Sequence, residues 1–302
     1  MARVSLPSGV EIEYESFGSR TDPTVLLVSG YTSQMLGWDE GFCRALAAHG
    51  RHVVRYDNRD VGLSTHFDGV EIDMPALKQY IKREGPMPDV PYTLDDMAAD
   101  GVGLADALGA EIVDVVGMSM GGMIVQTMAV NHGRRLRSVV SVMSTTGDRN
   151  VGRPLPEAFE ILLTSPPDDR AGYIDASVNA KIWSSKRYFD EARCREKAAA
   201  SYDRMFYPEG YARQMAAIVA LGDRSESLRT VDVPMLVIHG VDDTLISQSG
   251  GEATAALVPG AELLIVDDMG HDIPEPLWPT LTSAIAAFGD RAGRSQSRVK
   301  GE

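Results

Sequence analysis

Cysteine is nearly absent from this chain of 302 residues: only Cys43 and Cys194 occur. Two cysteines so far apart make neither a disulfide framework nor a Cys-rich zinc site, and they suit a reducing compartment. Long apolar runs are missing as well. No stretch of about 18 apolar residues occurs, so no transmembrane helix is expected, and Met1 to Pro7 lacks the apolar segment of a signal peptide. A cytoplasmic location is the expectation. Positive charge is scarce: Lys and Arg number 29 against 43 Asp and Glu, a formal net charge of −14. So acidic a surface repels phosphate backbones and anionic headgroups, and nucleic acid is not an expected partner. Internal repeats and low-complexity tracts are also lacking.

What remains is 44% hydrophobic and 24% charged residues, the balance of a globular chain with a sizeable core. Val10 to Phe17 alternates apolar and polar side chains, which predicts a half-exposed antiparallel strand with a hairpin partner before the Ser8-Gly9 turn. From Thr24 the runs become continuously apolar. Thr24–Val28, His52–Tyr56, Ile112–Val116, Ser138–Met143, Met235–Ile238 and Leu263–Val266 read as strands buried on both faces. Helix-period segments lie between most of them, which predicts a mostly parallel sheet flanked by helices, an α/β class. Between about Asp148 and Arg229 the pattern is helical throughout. Residues 148–229 are therefore expected to form an inserted helical cap, with 1–147 and 230–290 as the core and 291–302 as a flexible tail.

One motif carries chemistry. The strand ending at Val116 runs into Gly117-Met118-Ser119-Met120-Gly121, and a helix pattern follows at once. The bare G-x-S-x-G pattern arises by chance in roughly one chain in five of this composition, so its strand–turn–helix setting is what gives it weight. A sharp turn lifts the Ser119 hydroxyl above the sheet edge, and the helix N-terminus behind it favours developing negative charge.

A serine nucleophile needs a base held by a third group. Of six histidines, His49, His52 and His132 sit at element ends and read as structural, as does His239 at the close of a buried strand. His66 lies in an insertion with nothing specific to recommend it. His271, in Asp268-Met269-Gly270-His271-Asp272, leaves the last predicted strand at the sheet edge expected for Ser119. The acid should follow the preceding strand, where Gly240-Val241-Asp242-Asp243 offers two candidates that spacing alone barely separates. Asp243, four positions past the strand end, is favoured. The order Ser119, Asp243, His271 is the one expected for a nucleophile on such an elbow.

On these residues the chain resembles the α/β-hydrolase family over about residues 5 to 290. Val28-Ser29-Gly30-Tyr31 resembles the family's His-Gly-x oxyanion loop, with Ser29 where histidine is usual. Tyr56-Asp57-Asn58-Arg59-Asp60-Val61-Gly62-Leu63-Ser64 resembles its D-x-R-G-x-G-x-S turn, with Asp60 replacing the first glycine. Gly240 to Asp243 fits its G-x-x-D acid turn, which supports Asp243, and Gly270-His271 fits its G-H turn. Within the family the pattern is most similar to an esterase group that includes aclacinomycin methylesterase and mycobacterial lipase/esterase relatives. Mechanism and resemblance together imply an oxyanion hole made by the backbone N–H groups of Tyr31 and Met120.

The resulting expectation is a serine esterase acting on a small-molecule ester through an acyl-enzyme. An apolar or aromatic ester suits the aromatic side chains of the 148–229 segment. C–C bond, thioester or perhydrolase-type chemistry on the same scaffold, and a non-catalytic ligand receptor, are the competing readings. Gly101-Val102-Gly103 lacks the last glycine of a dinucleotide loop, and His49 and His52 lack a third ligand; neither metal nor cofactor is expected. Whether the chain is a monomer or a homodimer is left open by the sequence.

Overall fold

The computed structural model describes residues 1–299. Its described strands, β1 (Ala2–Ser5), β2 (Glu11–Phe17), β3 (Thr24–Val28), β4 (His52–Tyr56), β5 (Val113–Met118), β6 (Leu136–Val142), β7 (Met235–Gly240) and β8 (Glu262–Val266), form one sheet in the order β1-β2-β4-β3-β5-β6-β7-β8. The β1–β2 and β2–β4 pairings are antiparallel and all the others are parallel. The expected mostly parallel sheet with an antiparallel N-terminal edge is what the chain forms.

The helices are α1 (Glu40–Ala47), α2 (Met74–Lys82), α3 (Leu94–Ala107), α4 (Met120–His132), α5 (Pro156–Leu163), α6 (Arg170–Ser177), α7 (Glu191–Arg204), α8 (Gly210–Leu221), α9 (Ser225–Leu228), α10 (Ser249–Leu257) and α11 (Trp278–Val299). Every residue of β3, β4 and β7 is buried, because both sheet faces are covered. Successive side chains alternate between the two layers. Leu26 and Val28 join α3 and α4 in one cluster, while Val25 and Leu27 join Phe42 and Leu46 of α1 and Leu281 and Ile285 of α11 in the other. Helix α4 is apolar nearly all round and buried from Met120 to Ala129, as befits the central helix behind the elbow. No helix among the described residues is long and apolar enough to cross a membrane.

Two features differ from expectation. Within the 291–302 segment expected as a flexible tail, α11 continues to Val299, and Ile285, Ala286, Phe288 and Ala292 form a buried apolar stripe along it. Lys300 to Glu302 of that tail lie outside the described residues. Helices α5 to α9 do fill the segment between β6 and β7, but α8 packs on α2 and α3, and α9 packs on α4 and α10. The end of the insertion is thus seated on the core.

Candidate active site

Parallel strands deliver their C-terminal ends to one sheet edge, and the candidate residues gather there. Ser119 follows β5 with φ 56° and ψ −120°, a conformation that a residue bearing a Cβ rarely adopts. Close approach of backbone holds it there. A Cβ on Gly117 would collide with the carbonyl of Gly121, and one on Gly121 with the carbonyl of Val28, so both flanking glycines are required sterically. The Ser119 N–H donates to the Val142 carbonyl at 3.0 Å, and the Ser144 hydroxyl donates to the Ser119 carbonyl at 2.8 Å. The turn is pinned on both sides.

His271 leaves the loop after β8. Its N–H donates to the Trp183 carbonyl at 2.6 Å, and its Nδ1 lies 2.7 Å from Asp243 Oδ2. The other oxygen of Asp243 accepts the N–H groups of Leu245 at 2.9 Å and Ile246 at 2.8 Å. Burial alone would raise this carboxyl. The imidazoles of His271 and His239 more than offset that and hold it below the usual carboxylate range. Asp242 points elsewhere: its Oδ1 pairs with Lys186 Nζ at 3.0 Å and its Oδ2 accepts the Lys186 N–H at 3.1 Å. Of the two carboxylates that spacing left open, Asp243 faces His271 and Asp242 faces Lys186. Asp272, next to His271, is buried enough that its carboxyl is raised, although Ser185 and Gly270 donate backbone N–H groups to it.

Gly30, Tyr31, Ser119 and His271 line one cavity of about 790 Å³, together with Trp183, Tyr188 and Phe189 of the insertion. Tyr31 and Trp183 also line an adjoining chamber of about 600 Å³ with Tyr173, Phe206, Tyr207 and Tyr211. Burial pushes the Tyr31 phenol up to about 12, so it is neutral at physiological pH. Met120 opens α4, so its N–H is one of the helix's orphan donors. Among the described residues, no protein acceptor takes the N–H of either Tyr31 or Met120.

The loop carrying Tyr31 is braced from behind. Thr32 sits at φ 58° with its N–H donating to Gln214 Oε1 at 2.9 Å. Gln34 donates to the carbonyls of Ser201 at 2.7 Å and Met205 at 2.8 Å. Asp57 Oδ1 accepts the Met35 N–H at 2.7 Å, while its Oδ2 meets Arg204 at 2.7 Å.

Three residues near the site were not singled out by sequence reasoning: His239, Arg193 and Lys197. His239 is not merely a strand end; it faces Asp243. Cationic side chains also reach the cavity, Arg193 and Lys197 of α7, balanced by Asp39 and, at Arg193, by Glu275. Nothing local in the sequence marks these two residues; the tertiary fold brings them to the cavity wall. His66 stays outside the Ser119 cavity, stacked on Tyr207 with ring centroids 3.7 Å apart. Among the described residues, no group of three or more His, Cys, Asp or Glu is placed to hold a metal ion.

Residues 23–275 match the family described by the alpha/beta hydrolase fold. Rhodomycin D methylesterases from Streptomyces sp. (strain C5) and Streptomyces peucetius are similar at 26% identity, over 90% of this chain and 93% of their own. Among solved structures, the enol-lactonase of Burkholderia xenovorans LB400 superposes with a TM-score of 0.73 at 21% identity, covering 95% of this chain and 99% of its own.

Proposed function

Because this chain belongs to the α/β-hydrolase fold family, we propose that it is a carboxylic ester hydrolase in which Ser119, His271 and Asp243 act as nucleophile, base and orienting acid. One observation carries the reading. A serine held at positive φ opens onto the same cavity as an imidazole whose far nitrogen is bound by a buried carboxylate.

In acylation, Ser119 Oγ attacks the ester carbonyl carbon while His271 Nε2 takes its proton. Asp243 stabilises the imidazolium so formed. The carbonyl oxygen becomes an oxyanion and accepts the N–H groups of Tyr31 and Met120, each donor being worth ~10²–10³ in turnover. Collapse expels the alcohol, which leaves with the proton from His271. Water then attacks the acyl-enzyme by the same route, releasing the acid and restoring Ser119. The insertion of residues 148–229 serves as a cap. Its rings make the paired chambers fit an apolar or aromatic small-molecule ester, and the methylesterase activity named for the Streptomyces relatives supports an ester as the bond cleaved.

A fluorophosphonate reagent followed by mass spectrometry tests this. One adduct is expected, on Ser119, and none in Ser119→Ala. Labelling of Ser119→Ala at an undiminished rate would end the proposal. With p-nitrophenyl esters of increasing acyl length, neutral acyl groups should be preferred over charged ones.

A further inference from the structure

Asp243 faces two imidazoles, and the reaction proposed above uses one. The second, His239, is the fifth residue of β7 and has no solvent exposure. Its Nε2 lies 2.8 Å from the Ile246 carbonyl and 3.4 Å from Asp243 Oδ2. A carbonyl oxygen can only accept, so Nε2 carries the hydrogen. Its Nδ1 is buried with no partner, packed so close to α10 that a Cβ on Gly251 would sit 2.5 Å away. Protonating Nδ1 there would place an N–H where nothing accepts it, a costly arrangement. The ring is therefore neutral and fixed in one tautomer.

This closes a small ring of interactions. Ile246 donates its N–H to Asp243 Oδ1 and accepts from His239 with its carbonyl, while the His239 N–H also faces Asp243 Oδ2. We infer that His239 is a positioning residue for Asp243, clamping the acid loop and drawing part of the carboxylate's hydrogen-bonding capacity away from His271.

The inference rests on the triad reading, and it has a sign. A neutral donor adds no charge, so its removal leaves the carboxylate to act more fully on His271. That favours the imidazolium, and His271 should then titrate at higher pH. The other charged groups around His271 stay as they are: Asp272 on its own loop, Asp242 with Lys186 beside the acid turn, Glu275 before α11, and Asp190, Arg193 and Lys197 from the cap.

The test compares His239→Leu, which keeps bulk and loses the donor, with His239→Gln, whose amide can reach the Nε2 position. The Cε1 proton of His271, assigned by its loss in His271→Ala, is titrated by NMR. In parallel, kcat and KM for p-nitrophenyl butyrate are measured against pH. In His239→Leu the His271 titration and the acid limb of kcat should both move up by about 0.5 pH unit, the effect of one weak hydrogen bond. A fall in kcat of about tenfold with KM nearly unchanged should accompany it. His239→Gln should return both toward the parent. An unmoved titration in His239→Leu, or a His239→Gln shifted as far as His239→Leu, overturns the inference. The titration reads the imidazole and not turnover, so hydrolysis persisting in Ser119→Ala would sink the esterase reading by a separate result.

Discussion

Replacing Asp243 by asparagine should be far more damaging than the loss of one charge suggests, because the amide has one orientation open to it. In the parent, Oδ1 accepts two backbone N–H groups, from Leu245 and Ile246. An asparagine oxygen must take that place, which turns its NH2 group toward His271 Nδ1. That nitrogen is then forced to accept, so the imidazole proton moves to Nε2, the atom that should take the proton from Ser119. The base is left in the wrong tautomer, and kcat should drop by about 10⁴, the scale known for such a swap in a serine triad. Asp242→Asn makes the control. It weakens an ion pair whose lysine is 76% exposed, worth at most ~1 kcal/mol, and its amide oxygen can still accept the Lys186 N–H. Its kcat should stay within about threefold of the parent. Steady-state hydrolysis of p-nitrophenyl butyrate at pH 8 measures both. Asp243→Asn retaining more than a tenth of the parent's kcat, or Asp242→Asn falling as far, would refute the assignment of the acid.

Three further outcomes are expected. Gly121→Ala should yield little soluble protein or a sharply lowered Tm, since its Cβ meets the Val28 carbonyl within the sheet and neither backbone can give way. Arg213→Met should cost about 3–5 kcal/mol in urea unfolding by stranding the buried Asp60 carboxylate, which Arg213 holds with two hydrogen bonds of 2.8 and 2.9 Å; the double variant Asp60→Asn/Arg213→Met should recover part of that loss. Burial raises the Asp272 carboxyl, so the folded protein binds that proton more readily than the unfolded chain. The stability this contributes is full below the unfolded carboxylate value of about 3.9 and is lost as pH rises through the folded one. Asp272→Asn, a mimic of the protonated form, should therefore unfold at higher urea than the parent at pH 7, with the gap closing toward pH 4. A variant less stable at both values would contradict that sign.

How far the sequence disclosed this architecture varies with the range of the interactions involved. The apolar runs of β3, β4 and β7 are buried at every position, so a local pattern sufficed to place them. Ser119 was legible because steric need confines glycine to positions 117 and 121. The choice between Asp242 and Asp243 was not settled by spacing, because it depends on which carboxylate Lys186 draws off, 56 residues earlier in the chain. His239 looked structural since its two partners, Ile246 and Asp243, meet it only when the acid turn folds back on β7. The polar character of residues 291–302 suggested a tail, whereas Ala292 is buried and the helix begun at Trp278 runs on to Val299.

The two departures from the family's sequence pattern gain meaning together. Ser29 is fully buried, its Oγ donating to the Gln34 carbonyl at 3.3 Å and its own carbonyl accepting from Asn58 Nδ2 at 3.0 Å, so the proposed oxyanion loop is tied down without the usual histidine. Asp60 stands where glycine is customary and keeps the left-handed backbone, φ 63°, which aspartate tolerates better than most side chains. Its carboxylate accepts the Phe67 N–H at 2.9 Å and pairs with Arg213 of α8. On the same helix Gln214 receives the Thr32 N–H and donates to the Arg59 carbonyl at 2.8 Å, joining the turn to the loop that carries Tyr31. Thr32, β-branched and at positive φ, would not keep that conformation unless its surroundings imposed it. Helix α8 therefore does more than line the adjoining chamber through Tyr211. It braces the residue next to one of the two proposed oxyanion donors, so changes in α8 should reach turnover as well as substrate choice.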